Sequence, residues 1–466
     1  MAWSIQEIVA ATGGRVARRG AKSRFGEVVT DSTKVKQGSV FVALKGERHD
    51  GHDFIAQAVK RGAACVIAHR PVKKNIGKPA VVRVSDTLRA LGDLAHYRRV
   101  RLSPKVLAIT GSNGKTTTKE MVACILEEAS LDGEPLRGRV LKTEGNFNNL
   151  VGLPLTLLRL RQRDKVAVVE LGTNHPGEIQ RLAAIAAPDA GIITSVAAAH
   201  LEGLNSLAGV AREKGALYRN VRPGGAIAVN LDDPWVVRLA RGFRGKKITY
   251  GTGGQVRASA WRMDDAKGTR FRLHAGRRSC DVHLNYLGRH NVANALGAAA
   301  LSLSAGVKLP AIRRGLEKAR PFAMRMQIES WRSIGIINDA YNANPASMKA
   351  ALKTLAEIPS RGRKIAVLGD MFELGRHSRK EHFDLGKAAA ASGIDYLYLL
   401  GERAGDVRRG ALAAGMPSAR IVLGKDHEDL ARRLRERART NDWLLFKGSR
   451  GMKMENVLRQ FKKGKA

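Results

Sequence analysis

The sequence predicts an α/β fold in three units, the central one a mostly parallel sheet with helices on both faces. Three observations carry that expectation. From Lys105 onward, short and almost unbroken apolar runs (KVLAIT, VAVVEL, GIITSV, GAIAVNLD) alternate with helix-like stretches, the pattern of strands buried on both faces. After the proline-bearing segment ARPFAMRMQ (319–327), a second alternating set follows: IGIINDA, KIAVLGDM, IDYLYLLG, RIVLG and WLLFKGS. At 466 residues the chain also exceeds one ordinary hydrophobic core, so division is expected. The expected units are 1–100, 101–320 and 321–466.

The first hundred residues carry shorter elements. GSVFVAL (38–44) and AACVIA (63–68) read as strands, and the stretch between them opens as a polar loop and closes as a short helix. No internal repeat of fixed period is evident.

Composition narrows the function classes. Hydrophobic residues at 44 % suffice for packed cores and argue against disorder. The net charge of +39 attracts polyanions, among them nucleic acid, anionic membrane and multiply phosphorylated small molecules. The basic residues are spread along the whole length and no nucleic-acid motif is present, so no specific nucleic acid is expected. Cys65, Cys124 and Cys280 are odd in number and far apart, which gives neither a disulfide framework nor a zinc spacing and fits a reducing compartment. The first residues, MAWSIQEIVAATGGRVARRG, break their apolar run with a glutamate and two glycines, unlike a secretory signal. No apolar run approaches membrane-spanning length. A soluble cytoplasmic monomer without membrane insertion is expected.

The most informative stretch is ITGSNGKTTTKEM (109–121), set between the strand KVLAIT and a helix whose Met121, Val122, Ile125, Leu126 and Ala129 share one face. Gly111 and Gly114 allow a sharp turn, and Ser112 and Asn113 lie between them. Inward N–H groups and the helix N-terminus make an anion site. Lys115 adds a charge for β- and γ-phosphate oxygens, and the hydroxyl of Thr116, with Thr117 beside it, is placed for Mg²⁺. The spacing G-x-x-G-K-T is shorter than the common phosphate-binding loop. The alternative reading is a glycine-rich turn with a solvated lysine.

Three other pieces stand where such a site uses them. Glu170 ends the strand VAVVEL, where a carboxylate can hold Mg²⁺ beside phosphates, although strand-end glutamates also serve as helix caps. Asn146, Asn148 and Asn149 cluster in TEGNFNNLVGLPLTLL; amides suit sugar hydroxyls and carbonyls and are also common in turns. His200, in AAAHLEGL, lies at a strand-to-loop junction as a metal ligand or a structural residue.

Together these stretches resemble a known family. TGSNGKTTTKEM, TEGNFNNLVGLPLTLL, ELGTNHPGEI, AHLEGL, REKGALY, GRHNVANALGAAAL, INDAYNANPASM, LGDMFELG and KGSRGMKMENVL occur in the order seen in the Mur ligases, ATP-dependent amide-forming enzymes of peptidoglycan precursor synthesis. The likeness covers nearly the full length. ALKGERHDGHDF, GNFNN, DAYNANPASM and GDMFELG resemble most the branch whose substrates are UDP-N-acetylmuramoyl-tripeptide and D-Ala-D-Ala.

The resemblance implies a small N-terminal UDP-binding domain, a central P-loop-type ATP domain and a Rossmann-like C-terminal ligase domain. It implies acyl activation: ATP phosphorylates a peptide carboxylate, and the amine of D-Ala-D-Ala attacks the acyl phosphate. By the same likeness Lys115 contacts phosphates, Thr116 and Glu170 hold one Mg²⁺, and His200 helps hold a second. Lys214 matches a lysine carried as a carbamate. Asn294 matches an adenine contact, with Asn291 near it, or Asn291 caps the helix. Arg325 and Asp339 match residues that reach the γ-phosphate and the ribose, so that the third domain completes the ATP site on closure. Ser32, Lys45, Glu47 and Arg48 fall near the UDP group. Lys447 and Arg450 fall at carboxylates of the incoming dipeptide or of the peptide stem, with Phe372 and Glu373 nearby, and Asn146, Asn148, Asn149 and Asn342 fall among the substrate-binding residues. Thr33 stands where the family has arginine in DSR, and Leu150 where an acidic residue follows GNFNN.

Two other readings compete. Other Mur-type ligases, folylpolyglutamate synthase and cyanophycin synthetase share the ATP chemistry, but the DNPR-type signature of the diaminopimelate-adding relative is absent. A basic nucleic-acid-binding protein with a decayed ATP site is opposed by the intact Lys115, Thr116, Glu170 and His200.

Overall fold

Every apolar run named above contains a strand, and three separate sheets collect them. The computed structural model describes residues 2–73, 75–264 and 267–463. The first sheet runs Arg15–Arg18, Ala80–Arg83, Cys65–Ala68, Val40–Val42, Val28–Val29, parallel except at its Arg15–Arg18 edge. The second runs Val140–Lys142, Val166–Glu170, Lys105–Thr110, Ala190–Ile193, Ala226–Asn230, Lys246–Tyr250, Val256–Met263, Thr269–Ala275, Arg278–Leu284. The third runs Gln327–Trp331, Ile334–Asp339, Trp443–Lys447, Lys364–Gly369, Tyr396–Leu400, Ile421–Leu423, with only its first pair antiparallel.

The central sheet shows why unbroken apolar runs were needed. Alternate residues of Lys105–Thr110 enter two cores: Val106 and Ala108 one, Leu107 and Ile109 the other. The helix Lys115–Glu127 covers the second core with Met121, Val122, Ile125 and Leu126, all fully buried. Each such side chain contributes about 1.5–3 kcal/mol of burial. The last three strands, antiparallel at Val256–Met263, Thr269–Ala275 and Arg278–Leu284, were not expected. Exposed Arg270 and Arg272 alternate with buried Phe271 and Leu273, so these strands lack the continuous run that marks a parallel strand.

The helix Thr87–Leu102 joins the first unit to the second. Asp86 caps it, accepting from the N–H groups of Leu88 and Arg89. Near its other end the buried Arg99 donates to the Ala186 carbonyl at 2.9 Å, the Ala187 carbonyl at 2.8 Å and Asp189 at 2.9 Å. In the third unit, asparagine followed by proline in NPASM reads as a helix start, and Asn344 does cap the helix Pro345–Glu357, with Pro345 at its first position. No helix among the described residues is long and apolar enough to cross a membrane.

Topology fixes the site. Lys105–Thr110 lies between Val166–Glu170 and Ala190–Ile193, with Ile109 opposite Glu170 and Thr110 opposite Ile193. Three adjacent parallel strands therefore deliver the 111–114 loop, Glu170 and the loop after Ile193 to one sheet edge, where open α/β sheets bind ligands.

Candidate active site

The glycine loop is held tightly from behind. Gly111 stands at φ 149° and Gly114 at φ 79°. A Cβ at Gly111 would lie 1.9 Å from Thr194 Oγ1 and 3.0 Å from the Thr194 nitrogen. The Ser112 N–H donates to the Ser195 carbonyl at 2.8 Å, the Asn113 N–H to Ser195 Oγ at 3.2 Å, and Ser112 Oγ to the Ala197 carbonyl at 2.9 Å. Helix Lys115–Glu127 starts directly after Gly114, so its first-turn N–H groups, lacking intrahelical acceptors, stand at the loop. Gly111→Ala is expected to force the loop off Thr194 and to weaken binding of an ATP analogue by about 5- to 150-fold, given a cost of roughly 1–3 kcal/mol for such backbone strain. Calorimetric titration checks this.

Lys115 Nζ donates to the Gly111 carbonyl at 2.7 Å. Burial lowers its pKa, Glu170 opposes that shift and Arg325 adds to it. Thr116 Oγ1 donates to Glu170 Oε2 at 2.9 Å, and Asn148 Nδ2 to Glu170 Oε1 at 2.8 Å. A hydroxyl and a buried carboxylate, side by side and oriented by an amide, are the hard oxygen donors that suit Mg²⁺. Among the described residues no group of three or more His, Cys, Asp or Glu is placed to hold a metal. Mg²⁺ beside phosphates is typically held by one or two protein oxygens, with phosphates and water supplying the rest.

Lys214, on the helix Leu207–Arg219, is 1 % exposed, and its side-chain amine makes no hydrogen bond among the described residues. Burial pushes its amine down to about 7, with Lys115 adding to the shift and Glu213 opposing it. Glu213 is engaged elsewhere, accepting from the N–H groups of Ile179 at 2.6 Å and Gly177 at 2.8 Å, where it caps the helix Glu178–Ala186.

The third unit closes over this edge. A cleft of about 340 Å³ is lined by Ser112 to Thr117, His200, Asn291, Asn294, Arg325, Asp339, Asn342 and Lys447. Arg325 is flanked by Met324 and Met326, at φ 58° and 50°, and its guanidinium lies 4.1 Å over the Tyr341 ring. Asp339 accepts from the Met326 N–H at 3.0 Å and pairs with Lys447 Nζ at 2.5 Å. Lys447 also donates to the Asn342 carbonyl at 2.9 Å, so the amine expected at a substrate carboxylate is committed to the cleft wall. Asn344 Nδ2 donates to Asn113 Oδ1 at 2.8 Å across the units. His200 Nδ1 lies 2.5 Å from Glu373 Oε2, and His200 holds the Glu373 carboxyl below the usual range.

Other residues singled out in the sequence make local contacts or lie outside this cleft. The helix Arg289–Ser304 begins before Asn291, which therefore does not cap it; Asn291 Nδ2 donates back to the Leu287 carbonyl at 2.9 Å and its Oδ1 accepts from Asn294 at 3.0 Å. Asn149 Oδ1 accepts from the Gly152 N–H at 2.8 Å at the start of Gly152–Leu158, while Asn146 is exposed. Lys45, Glu47 and Arg48 form an exposed loop of the first unit, and Ser32 Oγ donates to Gln57 at 2.8 Å; none of them lines the cleft. Thr33 Oγ1 donates to Asp31 at 2.7 Å. Arg450 pairs with Glu455 at 2.8 Å on the surface.

Other cleft residues went unnoticed in the sequence. Thr194, Ser195 and Asn230 carry no motif of their own, and Tyr341, inside INDAYNANPASM, had no role assigned to it. His290 had a signal in its place beside Asn291 at a helix start; burial pushes it down to about 4, Asp339 opposing and Lys447 adding, so it is neutral at pH 7.

The comparisons agree with this architecture. Three family models match in chain order: "Mur ligase family, catalytic domain" over 24–99, "Mur ligase middle domain" over 109–302, and "Mur ligase, glutamate ligase domain" over 324–450. Curated relatives named UDP-N-acetylmuramoyl-tripeptide--D-alanyl-D-alanine ligase include one from Escherichia coli (strain K12), 38 % identical with 95 % of this chain and 94 % of that one covered. Another, from Bacillus subtilis (strain 168), is 36 % identical, with 93 % and 92 % covered. The solved MurF of Acinetobacter baumannii superposes with a TM-score of 0.91 at 34 % identity, covering 100 % of this chain and 99 % of that one. MurF ligase of Thermotoga maritima, solved in complex with ADP, gives 0.83 at 28 % identity, with 94 % and 97 % covered. Sequence order, three sheets and near-complete overlap with full-length relatives lead to one assignment: the chain belongs to the Mur ligase family.

Proposed function

We propose that this enzyme joins D-Ala-D-Ala to UDP-N-acetylmuramoyl-tripeptide in peptidoglycan precursor synthesis, converting ATP to ADP and phosphate. The single observation that carries the reading is the shared cleft, where the glycine loop and Lys115 of the central unit face Arg325 and Asp339 of the third. In this reading residues 1–100 take the UDP group, 101–320 the ATP and 321–466 the incoming dipeptide. The reaction runs in the cytoplasm, on a monomer.

The chemistry follows from charge. A carboxylate resists an amine until one of its oxygens becomes part of a leaving group. A carboxylate oxygen of the tripeptide attacks the γ-phosphorus, the bond to the β-phosphate oxygen breaks, and ADP leaves. The dipeptide amine then attacks the acyl carbon, loses a proton, and expels phosphate with the carboxylate oxygen. Lys115 and the first-turn N–H groups neutralise the transferring phosphoryl, and Arg325 meets it from the other wall. Asp339 holds the ribose and Asn294 the adenine. Thr116 and Glu170 would hold one Mg²⁺ and His200 would help hold a second, the ions supplying further charge neutralisation at the phosphates when bound. Lys214, if carried as a carbamate, would add an anion able to help hold the second ion. Asn148 orients Glu170. Ser32, Lys45, Glu47 and Arg48 bind the UDP group, and Asn342 and Arg450 the peptide end.

The test offers purified enzyme UDP-N-acetylmuramoyl-tripeptide, ATP and a mixture of D-Ala-D-Ala and meso-diaminopimelate. Mass spectrometry is expected to find the tripeptide extended by D-Ala-D-Ala alone. Extension by diaminopimelate, with none by the dipeptide, would reassign the amine substrate.

A further inference from the structure

One carboxylate–imidazole contact between the units has no part in the reaction as described. Glu373, from GDMFELG in the third unit, brings Oε2 to 2.5 Å from His200 Nδ1 in the central unit. Both residues stand in the left-handed region, His200 at φ 54° and Glu373 at φ 62°, where non-glycine side chains are uncommon. The backbones meet at the same point, the Glu202 N–H donating to the Glu373 carbonyl at 3.3 Å. The His200 side chain is 22 % exposed and that of Glu373 52 %. Nδ1 is sealed from solvent and has no aligned hydrogen bond, so the Glu373 carboxylate at ion-pair distance is the acceptor available to it.

An imidazole presents two nitrogens, and what holds one decides what the other can do. With Nδ1–H turned to Glu373, Nε2 keeps its lone pair for a ligand. We infer that Glu373 is a positioning residue that fixes the tautomer and ring orientation of His200, so that the second metal site is completed only when the third unit closes. The inference rests on the reading of His200 as a metal ligand. Linkage makes the coupling reciprocal: a metal at His200 stabilises the closed arrangement as much as closure tightens the metal.

The test counts Mn²⁺ bound to the full-length protein by electron paramagnetic resonance, with a non-hydrolysable ATP analogue and UDP-N-acetylmuramoyl-tripeptide present. Wild type is expected to bind two ions and His200→Ala one. Glu373→Ala should weaken the second ion about tenfold or more, the range for residues that orient metal ligands. Its first ion should be unchanged, which also reports an intact fold. Glu373→Gln, which keeps an acceptor oxygen, should recover part of the loss, and Glu373→Ala combined with His200→Ala should match His200→Ala alone. A second ion bound by Glu373→Ala as tightly as by wild type, or more tightly, overturns the inference even where His200→Ala loses that ion. Two ions retained by His200→Ala would overturn the metal-ligand reading and the inference with it.

Discussion

Lys115→Ala is expected to lower kcat by about 10³-fold, equivalent to about 4 kcal/mol of transition-state stabilisation, while leaving the fold in place. Lys115 sits at the first position of its helix with its amine donating to the Gly111 carbonyl, 2.7 Å away. Burial already destabilises its charge, and Arg325 adds to that penalty. A triphosphate reverses the balance, because the charge that is costly in the empty cleft becomes the counterion of the transferring group. As the phosphoryl group transfers, the charge acts more strongly in the transition state than in the bound ground state, which is the condition for an effect on kcat. Alanine is a good helix former, so the melting temperature should change little. Single-turnover phosphate release together with thermal melting checks both halves. A near-normal rate would remove Lys115 from the phosphate site.

Lys214→Ala is expected to lose about 10²-fold in activity, in part recoverable with added formate or acetate that enters the vacated space. An amine that burial pushes down to about 7 is substantially neutral at physiological pH, and only the neutral amine can add CO₂. The same residue makes a separate stability prediction. The folded pKa lies below the unfolded value of 10.5, so the unfolded chain binds the extra proton between the two. Stability of the unmodified protein should therefore rise as pH increases from about 7 towards 10.5. Lys214→Met, in CO₂-depleted buffer, should be more stable than wild type at pH 7 and lose that advantage as the pH approaches 10.5. Denaturant melts across that range check the sign, and full activity in Lys214→Ala would eliminate the carbamate.

What the sequence disclosed and what it concealed divide by distance along the chain. The strand, glycine turn, lysine and helix of 105–127 are local, so hydrophobic period and turn chemistry place all four. Asn344–Pro345 was legible for the same reason. Pairings between remote segments were not. Nothing in WLLFKGS states that Lys447 will lie against Asp339, since the contact arises only when the strands Trp443–Lys447 and Ile334–Asp339 become neighbours. His200 and Glu373 meet only because the units pack together. The antiparallel strands 256–284 were hidden because arginines interrupt their apolar positions. Asn149 shows the converse: an amide motif gave a candidate binding group, and the structure gives its oxygen to a helix start.

Oxygen transfer is the most direct measure of the central claim, that this cleft passes a phosphoryl group from ATP to a peptide carboxylate. UDP-N-acetylmuramoyl-tripeptide labelled with heavy oxygen in the carboxylate to be joined would be turned over with ATP and D-Ala-D-Ala. The account predicts one labelled oxygen in each inorganic phosphate released, with ADP as the other nucleotide product. Unlabelled phosphate, or label in AMP, would contradict it.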